Sequence, residues 1–136
     1  MELHNNIKVS RAISPAAAIT DNTPWVSQIL DTANFHHNEL LLALGSLADA
    51  DATFTLLMEN GEQANLSDAA AIPDDELLGT ESQASFTFGD DDETRKIGYI
   101  GKKRYIRATV TPANNSGNAF LSGLWLQSEP RKAPVA

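Results

Sequence analysis

The chain is expected to be all-β, a single antiparallel β-sandwich or small barrel of about seven strands with extended N- and C-terminal arms. Three observations carry this expectation. Apolar and polar residues alternate with period two in several short runs, most cleanly from Lys103 to Thr111. Turn-forming clusters such as Asn60-Gly61 and Asn114-Asn115-Ser116-Gly117-Asn118 separate those runs. The chain has 136 residues, 42% of them hydrophobic, which is one domain's length and enough to bury a core without staples.

Taken in order, residues 1–24 read as an N-terminal arm. It holds one short strand candidate, Ile7 to Ile13, followed by turn and extended signals at Ser14-Pro15-Ala16-Ala17-Ala18 and Asp21-Asn22-Thr23-Pro24. The core is expected over residues 25–128. Trp25 to Leu30 is a short, mixed strand. Glu39 to Leu47 carries leucines on both faces, which predicts a central strand covered on both sides. Ala52 to Glu59 alternates Phe54, Leu56 and Met58 against Thr53, Thr55 and Leu57, and Asn60-Gly61 then predicts a hairpin or tight turn because both residues tolerate positive φ.

Ser67 to Leu78 reads as a loop with at most one helical turn, since Pro73 arrives too early for a long helix. Phe86 and Phe88 share one face, opposite Ser85 and Thr87. Thr94 to Ile100 is a strand closed by Gly101. On the strand Lys103 to Thr111, Ile106, Ala108 and Val110 share one face and Lys103, Tyr105, Arg107 and Thr109 the other. The last strand, Ala119 to Leu126, aligns Phe120, Leu124 and Leu126. Residues 129–136 form a tail whose prolines, Pro130 and Pro134, lack the N–H that a central strand needs.

The totals restrict function. With 18 acidic and 10 basic residues, the net charge of −8 disfavours wrapping nucleic acid, whose phosphates must be met by clustered Lys and Arg. There are no cysteines, hence no disulfides, thiolate metal sites or cysteine nucleophiles. The N-terminus lacks the basic and apolar regions of a signal peptide, and the apolar run Leu40 to Leu44 is far too short to cross a bilayer, so a soluble protein is expected.

Candidate chemistry is sparse. Asp49-Ala50-Asp51 and Gly89-Asp90-Asp91-Asp92-Glu93 offer clustered carboxylates of the kind calcium needs, but neither has EF-hand spacing and Asp-rich turns form for backbone reasons alone. His36 and His37 are adjacent, so on a strand they point to opposite faces and cannot easily chelate one ion. Arg95, Lys96, Lys102, Lys103, Arg104 and Arg107, interleaved with Tyr99 and Tyr105, form a basic aromatic cluster. Such a cluster suits single strands or an acidic protein surface, yet it follows an acidic loop able to neutralise it. No nucleophile elbow, phosphate loop or zinc-protease motif occurs, and no enzyme and no cofactor is expected.

Three segments carry a resemblance: Ser14-Pro15-Ala16-Ala17-Ala18-Ile19-Thr20-Asp21-Asn22-Thr23, Ala43-Leu44-Gly45-Ser46-Leu47-Ala48-Asp49-Ala50-Asp51-Ala52-Thr53-Phe54, and Lys96-Ile97-Gly98-Tyr99-Ile100-Gly101-Lys102-Lys103-Arg104-Tyr105-Ile106-Arg107. The chain resembles small structural proteins of tailed bacteriophages and prophages encoded near head genes. The resemblance implies a non-enzymatic virion component, best matched by a capsid decoration (cement) protein on the capsid surface, assembled in the host cytoplasm. Its partner would be the phage major capsid protein, with copies in a homo-oligomer such as a trimer, and with neither membrane nor nucleic acid as partner. Pro15 and Ile19 of the arm, Lys103, Arg104, Tyr105 and Arg107 of the basic strand face, and Pro130, Arg131 and Pro134 of the tail are the expected contact residues. A head–tail connector or tail component and a carbohydrate-binding β-sandwich on the virion are the alternatives, the latter resting on Trp25, Trp125, Tyr99 or Tyr105 as a sugar platform.

Overall fold

A computed structural model describes residues 2–132. They form two antiparallel sheets stacked face to face and not closed into a barrel, so the sandwich is the correct member of the expected pair. The strands are β1 (Ile7–Ile13), β2 (Trp25–Val26), β3 (Leu30–Asp31), β4 (Phe35–Leu47), β5 (Thr53–Gly61), β6 (Ala70–Ala71), β7 (Leu77–Leu78), β8 (Phe86–Thr87), β9 (Thr94–Tyr99), β10 (Tyr105–Ala113) and β11 (Ala119–Pro130), with one short helix, α1 (Glu81–Ala84). One sheet has the order β1-β11-β4-β9-β7; the other has β2-β10-β5-β6, with β3 also on β10 and β8 also on β5. The long strands are those that alternation predicts. The two-residue strands bring the total above seven: β2 and β3 replace the single short strand expected over Trp25 to Leu30, β8 lies in the alternating stretch around Phe86, and β6 and β7 lie in the stretch read as a loop.

The core fills the space between the sheets. Leu40, Leu42, Leu44, Leu121, Trp125, Ile97 and Tyr99 face inward from the five-stranded sheet. Leu56, Met58, Phe54, Ile106, Ala108 and Val110 meet them from the other. Trp25, Phe54 and Phe86 form an aromatic cluster, with Phe54 and Phe86 stacked at 4.9 Å between centroids. Several buried polar groups are paired: Gln127 Nε2 donates to Asn38 Oδ1 (2.8 Å) and Asp31 O (3.1 Å), and Ser27 Oγ accepts from Ala108 N (2.9 Å), while Asn115 Oδ1 and Arg107 Nε are buried without a partner among the described residues.

Several expectations are corrected. Strand β4 is covered on one face only: Asn38, Leu40, Leu42 and Leu44 are buried, while Glu39 and Leu41 are part-exposed and Ala43 exposed on the other face. Asn60-Gly61 is not a turn. Both residues end β5, Asn60 pairing with Ile106 and Ala70, and the chain reverses only beyond them, where the Asp68 carboxylate accepts from the amides of Glu62 (2.8 Å) and Gln63 (3.3 Å). Tertiary pairing on both sides outweighs the local turn preference. Phe86 and Phe88 do not share an environment, because a 3-10 turn at Phe88–Asp90 breaks the alternation and leaves Phe88 exposed. Helix α1 is unanticipated; Thr80 caps it, its hydroxyl accepting from Gln83 N (3.0 Å).

The termini are structured as far as they are described. Residues 7–13, within the expected arm, form β1 and pair with β11 from Ile7↔Ser128 to Ile13↔Gly123, placing Ala12 and Ile13 in the core. Ile19 and Ala119 exchange backbone hydrogen bonds (2.9 and 3.0 Å), which ties the following segment to the sandwich. At the other end, Glu129 and Pro130 belong to β11, with Pro130 opposite Phe35. Proline is accepted there because the pairing with β1 ends at Ile7↔Ser128, so the missing N–H has no partner to lose.

Candidate interaction surface

The outer face of the five-stranded sheet has no covering layer among the described residues. Because residues directly opposite across an antiparallel pair share a face, the register assembles it row by row. One row runs Val9–Leu126–Glu39–Gly98–Leu78, and the next runs Arg11–Leu124–Leu41–Lys96. Phe120 lies beyond them beside Gly45, where a Cβ would come within 2.9 Å of the Phe120 Cβ. Val9, Leu78 and Leu124 are 52%, 55% and 45% exposed, so this is an apolar surface left open to water.

The face is relieved by two shallow hollows. One is lined by Leu41, Ala43, Thr94, Ser122 and Leu124, and the other by Glu39, Leu78, Lys96, Ile100 and Leu126. Beside the second, the missing side chain of Gly98 lets Glu39 and Leu78 close over the backbone. A Cβ there would meet Glu39 Oε1 at 2.6 Å and Leu78 Cβ at 3.1 Å. Glu39 is thus half-buried against apolar neighbours, and this desolvation raises its pKa, with the nearby Lys96 charge opposing the shift.

The aligned Phe120, Leu124 and Leu126 of β11 therefore point outward, while Leu121, Trp125 and Gln127 point into the core. The leucines on both faces of β4 are the sequence signal for this surface.

The structure distributes the expected contact residues over separate places. Lys103, Arg104, Tyr105 and Arg107 lie on the six-stranded sheet or the loop entering it. Arg104 is paired bidentately with Asp31 (both contacts 2.8 Å) and lies 5.2 Å from the centroid of the Tyr105 ring, while Arg107 pairs with Glu59 at 3.0 Å. Hydrogen bonding from Arg104 holds the Asp31 carboxyl below its usual pKa. Pro15 is exposed and Ile19 is partly buried against the core on the N-terminal segment. Pro130 ends β11 and Arg131 follows it, and there Glu2, Leu3, Ile7 and His37 border a further hollow with Pro130. Pro134 lies outside the described residues.

Several of the polar candidates are engaged within the chain. Asp49 accepts from Asp51 N (2.9 Å) and from Ser116 N (2.8 Å) and Oγ (3.0 Å), and these hydrogen bonds lower its pKa. Asn115 Nδ2 donates to the carbonyls of Ile19 and Asp21, so the same loop end anchors the N-terminal segment. Arg95 reaches Asp90 (3.3 Å) and Glu93 (2.8 Å) in the second acidic loop. His37 contacts Ser128 Oγ (3.2 Å) and Glu129 (3.3 Å), and His36 takes no part in that pair. Of the four sugar-platform aromatics, Trp25, Trp125 and Tyr99 are in the core at 7%, 1% and 3% exposure. Trp125 Nε1 donates to Gln28 O (3.0 Å), and Tyr99 Oη donates to Lys103 O (2.8 Å).

No protein-family model and no curated protein sequence matches the chain. Solved structures do match in fold. A chain of the capsid of Ralstonia phage GP4 is similar over 97% of this chain and 90% of its own, with 11% identity and a TM-score of 0.53. A family 35 carbohydrate-binding module from Paenibacillus barcinonensis is similar over 93% and 95%, with 6% identity and a TM-score of 0.44. The Yersinia pseudotuberculosis-derived mitogen is similar over 94% and 90%, with 16% identity and a TM-score of 0.43. At 11% identity the likeness to the capsid chain is one of fold alone.

Proposed function

We propose that this chain is a non-enzymatic structural protein of a tailed-phage virion, acting as a decoration protein that binds the assembled major capsid shell and stabilises it. The observation that carries the reading is the uncovered apolar face of the five-stranded sheet. A two-layer sandwich needs only its inner faces for a core, so an exposed face bearing Val9, Leu78, Leu124 and Phe120 is surface kept for contact with another macromolecule. The fold likeness to a phage-capsid chain over nearly the full length of both chains supports the same reading. Of the four aromatics expected as a sugar platform, only Tyr105 is part-exposed, and that ring already carries Arg104.

On a shell, many symmetric copies, as single chains or small oligomers such as trimers, turn modest individual contacts into firm attachment. The rigid sandwich supplies the shape and the open face supplies the affinity. The test is to add the purified protein to phage heads lacking it and to count bound copies by cryo-electron microscopy. Copies spread over the shell are the expected result. Density confined to a vertex or the tail would assign a connector or tail role, and absence of binding would overturn the proposal.

A further inference from the structure

We infer that the outer face of the five-stranded sheet docks on a protein surface whose apolar centre is flanked by two carboxylates, one for Arg11 and one for Lys96. This rests on the shell-binding role proposed above and specifies the patch of the major capsid protein that is contacted.

The argument starts from the row Arg11–Leu124–Leu41–Lys96. Its four residues come from four adjacent strands and point to the same side, with the cations at the ends and the leucines between them. Neighbouring strands are about 4.8 Å apart, so three steps separate the cationic strands by about 14 Å. The row beside it, Val9–Leu126–Glu39–Gly98–Leu78, continues the apolar surface.

The charge on this face runs against that of the chain. The net charge is −8, and three other arginines are engaged internally: Arg95 with Asp90 and Glu93, Arg104 with Asp31, Arg107 with Glu59. Arg11 and Lys96 are exposed and form no ion pair among the described residues. Glu39 lies within the electrostatic reach of Lys96, half-buried on Gly98, and is the one carboxylate in the two rows. Two open cations at the margins of an apolar strip match a partner with the converse arrangement.

A second copy of this chain is the wrong occupant. Apposing the same rows of two copies sets cations over cations, on top of the repulsion between two acidic molecules. Nucleic acid fits poorly as well, because two cations beside exposed leucines neutralise too few phosphates.

The experiment is co-sedimentation of the full chain with empty shells assembled from the major capsid protein of the phage or prophage that encodes it. Three variants, each checked for folding by circular dichroism, accompany the wild type: R11E/K96E, V9S/L124S, and V26S/L57S on the outer face of the other sheet. The first two are expected to weaken binding by about tenfold or more, with wild-type binding declining as salt rises, and the third to bind as wild type. If the wild type binds but R11E/K96E binds equally well, the assignment of this face is overturned while the shell-binding role stands. If the wild type fails to sediment with shells, both are overturned. Wild-type binding to vesicles one-third phosphatidylserine in place of shells would assign the face to a membrane and overturn the protein partner.

Discussion

Deleting residues 1–13 separates two accounts of the N-terminus, a detachable arm or an edge strand of the fold. The structure places β1 against β11 over Ile7↔Ser128 to Ile13↔Gly123, with Ala12 and Ile13 in the core. Ile13→Ala alone removes buried carbons from a closely packed site. A Cβ at Gly123 opposite would already stand 3.5 Å from the Ile13 Cβ. Such a truncation costs about 2–5 kcal/mol. A domain of this size loses roughly 3–4 °C in melting temperature per kcal/mol, so a fall of about 6–20 °C is expected. The deletion removes Ala12 and the ladder to β11 as well, and uncovers the Ser10 side of Trp125. Its cost exceeds that of Ile13→Ala and takes up much of a total stability of about 5–15 kcal/mol. Thermal melts followed by far-ultraviolet circular dichroism and tryptophan fluorescence should show Ile13→Ala folded with a lowered midpoint, and the deletion without a cooperative transition above 37 °C. A deleted protein that melts cooperatively at the wild-type temperature would refute the reasoning and restore β1 to the status of an arm.

Four further outcomes are expected. Trp125→Phe keeps most of the core volume and removes the indole donor to Gln28 O, which retains Ser27 Oγ, so a loss of about 1 kcal/mol is expected by urea denaturation. Glu39 has a folded-state pKa raised by desolvation, so ionising it costs stability as pH rises through that pKa; Glu39→Gln should match wild type below pH 4.5 and exceed it at neutral pH. Asp31 is shifted the other way by Arg104. Its carboxyl should titrate below 3.8 by NMR and move back up in Arg104→Ala, with little stability lost because solvent screens the exposed pair. Gly45→Ala places a Cβ 2.9 Å from the Phe120 Cβ and should cost about 1–3 kcal/mol, read from the thermal midpoint.

The all-β class and the inward face of β10 were legible from residue order alone. A half-buried strand imposes a period of two, and Ile106, Ala108 and Val110 obey it. Pairing of the basic cluster with acidic neighbours was partly legible too, since Arg95 closes on Asp90 and Glu93 a few positions away. The candidate surface was not. Period two states that Phe120, Leu124 and Leu126 lie together but not which side they take, because both faces of β11 are apolar. Trp125 and Leu121 on the alternate positions bury the larger area, so they take the interior and leave the leucines outside. Nor does composition distinguish a central strand covered twice from one covered once; in β4 that depends on whether another layer arrives over Leu41, and among the described residues none does. Likewise Asn60-Gly61 has the local chemistry of a turn, and only long-range pairing with Ile106 and Ala70 holds it extended. Local chemistry determined which residues alternate and where charge accumulates. Contacts between residues far apart in sequence decided which face became the core, which became surface, and where the chain turned, because burial and strand pairing are properties of the assembled layers and not of any one segment.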